Sequence, residues 1–138
     1  MPRTFSTPRA AGARSRRPMH SVLLVEPDRD LAWLMRLALR REGFRVATAA
    51  DSHETAVWAA AQGPLVAVVD TDQVSLRAAV GAIEAGAGPR PLVLLTGPRE
   101  PTFGARGRCH VAARLRKPFG VADLVGAVRD ALADVQSA

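Results

Sequence analysis

At 138 residues and 48% hydrophobic content, the chain is long and apolar enough to bury one core, which excludes disorder throughout. Its one cysteine, Cys109, excludes an internal disulfide and a Cys-rich metal site and fits a reducing cytoplasm, and no apolar run approaches the roughly 20 residues that span a bilayer. The net charge of +6 suggests nucleic acid until it is located: residues 1–20 hold five arginines and no acid, leaving fourteen basic residues against thirteen acidic ones in the rest.

Residues 1–20 read as a disordered basic tail of Pro, Ser, Gly, Ala and Arg without periodicity, and residues 21–136 as the folded domain. A solvated extension is the plain reading of the tail, and an electrostatic arm for an anionic surface is the sharper one. Its acid-free, Arg- and Ser-bearing composition weakly resembles an organellar transit peptide, and Met19, just before the first apolar run, is an alternative first residue. No apolar stretch follows the first basic residues, which argues against a secretory signal.

The domain alternates short apolar runs with helical patterns. Val22 to Val25 is a continuous apolar run, as a strand buried on both faces requires. Leu31, Leu34, Met35 and Ala38 follow at helical spacing, with Asp28 or Asp30 as the cap and Gly43 as the stop. Phe44 to Thr48 alternates as a second strand. Asp51 with Glu54 predicts a capping box before a helix that Gly63-Pro64 ends. Leu65 to Val69 is a third strand; Leu76, Ala79, Val80 and Ile83 mark one face of a third helix. Leu92 to Leu95 and Val111 to Leu115 are the fourth and fifth strands. Val121, Leu124, Val125, Val128, Leu132 and Val135 predict a final amphipathic helix. Between Gly97 and His110 the βα rhythm calls for one more helix, but two prolines and three glycines predict a short or distorted one.

Alternating strands and helices imply a parallel sheet with right-handed crossovers, and such sheets bind ligands beyond the carboxyl ends of their strands. Glu26 follows the first strand, with Asp28 two residues on. Asp70 follows the third, then Asp72; Thr96 follows the fourth and Lys117 the fifth. Singly, such an acid caps a helix, such a threonine closes a turn and such a lysine is solvated. Together they place acids, a hydroxyl and an ammonium on one sheet edge, the inventory for phosphoryl transfer to a carboxylate with Mg²⁺. Lys117 is the one lysine among nineteen basic residues. A compact ammonium fits beside a phosphoryl group where a planar guanidinium does not. The Lys117-Pro118 bond is a candidate cis peptide.

Val22-Leu23-Leu24-Val25-Glu26, Leu65 to Asp70, Leu92 to Gly97 and Lys117-Pro118-Phe119 together resemble the response-regulator receiver domain over about residues 20 to 135. The resemblance implies a flavodoxin-like α/β fold: a five-stranded parallel sheet of order 2-1-3-4-5 with five helices. It implies Asp70 as phosphoacceptor, Thr96 as switch hydroxyl and Lys117 as the phosphoryl-contacting lysine. Glu26, Asp70 and the Asp72 backbone carbonyl would hold Mg²⁺, with Asp28 as a further candidate. The implied role is a single-domain, cytoplasmic response regulator, not a turnover enzyme. It would form an aspartyl phosphate from a histidine kinase or phosphotransfer protein and signal to a separate effector protein.

The chain departs from the family pattern at several places. The second of the two acids usual after strand 1 is Pro27, which has no side-chain donor and weakens the Mg²⁺ site. Arg114 stands where the family has an aromatic switch residue, three positions before the lysine, and the loop after Asp70 lacks the common Pro-Gly-x-x-Gly pattern. These departures favour a rival reading, a phosphorylation-independent receiver acting as a protein-binding module. Asp70-Thr71-Asp72-Gln73-Val74 also fits the first motif of haloacid-dehalogenase-type phosphatases, but no downstream acid pair follows Lys117 and the strand-1 acids go unused. No phosphate loop for a flavin follows strand 1. Neither a membrane nor nucleic acid is an expected partner of the domain, although Arg106, Arg108, His110, Arg114 and Arg116 mark a basic stretch. The three histidines lack metal-ligand spacing.

Overall fold

The computed structural model describes residues 20–98 and 108–136. Nine elements alternate through them: β1 (Ser21–Val25), α1 (Arg29–Arg41), β2 (Arg45–Ala49), α2 (Ser52–Gln62), β3 (Val66–Asp70), α3 (Leu76–Ala87), β4 (Pro91–Thr96), β5 (His110–Arg116) and α4 (Val121–Gln136). The strands form one parallel sheet in the order β2-β1-β3-β4-β5, as expected. The helix expected between β4 and β5 falls largely on residues outside those described.

The apolar runs of β1, β3 and β4 fill both faces of the sheet, because consecutive side chains point to opposite sides. Val22, Leu24, Val66, Val68, Val93 and Leu95 face α1 and α4, meeting Met35, Leu39, Leu124 and Val128. Leu23, Val25, Ala67, Val69, Leu92 and Leu94 face α2 and α3, meeting Ala59, Leu76, Val80 and Ile83. β5 lies at the edge; its basic residues His110, Arg114 and Arg116 are exposed, as is Arg108 just before it.

Local signals set the helix ends. The Asp28 carboxylate accepts from the Asp30 and Leu31 N–H groups and caps α1. Asp51 caps α2 by accepting from Glu54 N–H at 2.8 Å, while the Glu54 carboxylate reaches back to Ala50 N–H instead of Asp51 N–H. Gly43 and Gly63 take positive φ at the two stops.

Two expected faces are corrected. The buried stripe of α1 is Ala32, Met35 and Leu39, and Leu34 is exposed. The stripe turns about the axis so that Leu39, which the spacing had left out, seals the core. In α4, Val121 is exposed because it opens the first turn, before the helix crosses the sheet.

Gly86 is where α3 closes on α2. A Cβ there would lie 2.6 Å from the Ala56 carbonyl oxygen and 2.8 Å from the Ala59 Cβ, both on α2. Gly81, one and a half turns earlier, faces open space. Gly86→Ala is therefore expected to destabilise the fold by about 1–3 kcal/mol through overpacking, and Gly81→Ala to stabilise it by about 0.5–1 kcal/mol through helix propensity. Urea unfolding of the two variants reads both signs.

Candidate functional site at the carboxyl edge of the sheet

β3 is the central strand, so its last residue sits between the ends of β1 and β4. That residue is Asp70, which has no exposed surface. A buried carboxylate needs partners to offset its lost hydration. Asp70 has two on opposite oxygens. Its Oδ1 accepts from the Asp72 N–H at 3.0 Å, and its Oδ2 accepts from the Lys117 ammonium at 2.7 Å. Lys117 reaches Asp70 because the β4–β5 ladder continues past Thr96, whose carbonyl accepts from Lys117 N–H. The Lys117-Pro118 peptide is cis.

Glu26 completes the centre from the end of β1. Only 2% of its surface is exposed. Its Oε2 accepts from the Asp28 N–H at 3.2 Å, while Oε1 is buried with no hydrogen-bond partner. Burial raises the Glu26 carboxyl, and the nearness of the Asp70 carboxylate raises it further, to about 8 against a usual value near 4.5. The Asp28 N–H and Lys117 pull the other way without prevailing. For Lys117, burial works against the ammonium, yet the hydrogen bond and charge of Asp70, aided by Asp72 and Glu26, hold it above its ordinary value.

Thr96 ends β4 and is buried. Its hydroxyl donates to the Leu115 carbonyl at 3.3 Å, so in this structure it is turned to β5. Thr71, beside Asp70, donates its hydroxyl to the Leu95 carbonyl.

Glu26, Asp70, Asp72, Thr96 and Lys117 therefore gather at one edge, as the strand-end reading requires. Asp28 stands next to them but its carboxylate caps α1. Two features escape sequence reasoning. The Asp72 side chain, expected to matter only through its backbone, lies 3.5 Å from the Lys117 ammonium and competes with Asp70 for it. Gly97 lies directly beneath that carboxylate, and a Cβ at Gly97 would overlap it. The paired positions 72 and 97 become legible only once β3 and β4 are known to be neighbours.

Among the described residues, no three acidic, histidine or cysteine side chains cluster to hold a metal. Two carboxylates do adjoin, Glu26 and Asp70, and the buried Glu26 Oε1 without a hydrogen-bond partner fits a cation. Mg²⁺ takes one or two carboxylates and completes its shell with water, main-chain oxygen and phosphate. The residues present fit such an ion with a sparse set of ligands.

No protein-family model and no curated protein matches the chain. Solved structures do. A response regulator receiver domain protein from Clostridium thermocellum superposes with a TM-score of 0.67 at 19% identity, covering 86% of this chain and 98% of that one. A CheY-like receiver domain protein from Methanospirillum hungatei gives 0.71 at 20% identity, over 86% and 98%. The receiver domain of a sensor histidine kinase from Pseudomonas aeruginosa, which has a magnesium ion coordinated in its active site cleft, gives 0.68 at 22% identity, over 84% and 99%.

The raised Glu26 carboxyl makes stability pH-dependent. The folded chain holds a proton on Glu26 where the unfolded chain has lost it, so stability is greatest below about pH 4.5 with respect to this group, falls as pH rises toward about 8 and then levels. Glu26→Gln is expected to flatten that fall, as measured by urea midpoints across the interval. The central parallel sheet, its order and its two packed faces establish that the chain has the flavodoxin-like fold of response regulator receiver domains.

Proposed function

We propose that the chain is a response-regulator receiver, cytoplasmic and signalling by reversible phosphorylation of Asp70. The observation that carries this reading is the 2.7 Å pairing of Lys117 with a fully buried Asp70, with Glu26 alongside and Thr96 on the next strand. The carboxylate is desolvated, oriented and already charge-balanced, which is the preorganisation that phosphoryl transfer uses.

A partner histidine kinase or phosphotransfer protein presents a phosphohistidine. An Asp70 carboxylate oxygen attacks phosphorus in line; the new P–O bond forms as the P–N bond breaks, and the imidazole leaves with the electron pair. Glu26, Asp70 and the Asp72 carbonyl are the groups that would hold Mg²⁺, which when bound neutralises charge on the transferred oxygens. Lys117 moves its ammonium from Asp70 to a phosphoryl oxygen. Thr96 gives up the Leu115 carbonyl to donate to another, and that rotation biases the surface around β5 toward a second state that an effector protein reads. The transfer is stoichiometric, with no turnover of a diffusible substrate.

A second reading, a binding module with an idle Asp70, draws on Pro27 and on the Asp72 carboxylate at Lys117. Both readings predict the same fold and differ in one observable. Intact mass after incubation with acetyl phosphate and Mg²⁺ is expected to show one added phosphoryl group on the native chain and none on Asp70→Asn. A folded native chain that gains nothing establishes the binding-module reading.

A further inference from the structure

We propose that the groove between α1 and α2 binds a small planar aromatic anion of nucleoside-monophosphate size, at a site that adjoins the Asp70 centre through Glu26 but does not include Asp70 itself.

The groove opens at the carboxyl ends of β1 and β2 and has a volume of about 550 Å³, within the range of small-molecule sites. Both tryptophans of the chain line it, Trp33 from α1 and Trp58 from α2. They are 59% and 39% exposed and belong to neither core cluster. Trp side chains are the largest apolar surfaces a chain can present, and two converging on one groove supply flat faces for stacking.

Charge narrows the choice of ligand. Arg29, Trp33 and Arg36 stand at positions i, i+4 and i+7 of α1, on one side of the helix, and all three line the groove. Among the described residues, neither guanidinium forms an ion pair. On the opposite wall, His53 adds a further nitrogen donor; of the two acids in the lining, the Glu54 carboxylate is engaged with the Ala50 N–H at 2.7 Å, and Glu26 is buried at the floor with its Oε2 on the Asp28 N–H. Unpaired guanidinium forks bind phosphate and carboxylate oxygens bidentately, and aromatic faces take up planar rings. A groove offering both selects a ring that carries an anion. A cation or a plain apolar helix would leave the arginines unmatched.

The chain has no tyrosine, so its intrinsic emission comes from Trp33 and Trp58 alone and reports on this groove directly. The test titrates the full chain, and Asp70→Asn beside it, with AMP, GMP and uncharged adenosine. AMP or GMP is expected to quench emission saturably with a Kd below about 1 mM in both proteins, with adenosine at least about five-fold weaker. Arg29→Ala with Arg36→Ala is expected to weaken the nucleotide at least about ten-fold while the thermal midpoint holds. Emission that neither nucleotide changes, or adenosine binding as well as AMP, overturns the proposal. So does emission that follows protein concentration alone, which would make a second copy of the chain the occupant.

Discussion

Everything at the carboxyl edge follows from burying one carboxylate. Asp70 closes the central strand, with β1 on one side and β4 on the other, and no water reaches it. A lone buried charge there would cost several kcal/mol, so the fold must deliver partners. It does so with a backbone N–H two residues downstream and an ammonium from the far strand. The Lys117 pair is weak evidence for stability as such, because desolvation offsets most of the attraction. Its value is positional: the same carboxylate oxygen that Lys117 holds is an oxygen that could accept a phosphoryl group.

The second carboxylate shows the cost of that arrangement. With Asp70 beside it and little solvent, Glu26 retains its proton to about pH 8 and leaves one oxygen without a partner. A divalent cation would relieve both conditions at once, since it would replace the proton and bind the idle oxygen. Pro27 supplies no third carboxylate, so a cation bound here would draw on two acids and main-chain oxygen. The Asp72 carboxylate, packed on Gly97 and 3.5 Å from Lys117, adds negative charge where the incoming group would also be negative. The same sheet edge that orients Asp70 through Lys117 thus also carries a second carboxylate that draws on the same ammonium.

Much of this was legible in the sequence because its signals were local and redundant. Four apolar runs bounded by turn residues marked the strands, and the residue after each run marked the site. The sheet order was legible only through the resemblance; the alternating pattern implied a parallel sheet with right-handed crossovers but no order. What escaped was set by tertiary packing. Leu34 carried the right spacing and lies outside, because the helix turns Leu39 inward instead. Asp72 and Gly97 are 25 positions apart and meet only because β3 and β4 pair. The two tryptophans, 25 positions apart, carry no sequence signal that joins them, and the structure shows them sharing a surface groove.

The central claim is that Asp70 is an acceptor held ready by Lys117. A crystal structure grown with Mg²⁺ and beryllofluoride, an unreactive phosphoryl mimic, tests it most directly. The account predicts a trigonal fluoride adduct on an Asp70 oxygen, with the Lys117 ammonium moved onto a fluorine and the Thr96 hydroxyl turned from Leu115 toward another. A well-ordered structure in which Asp70 carries no adduct and keeps its contact with Lys117 would contradict it.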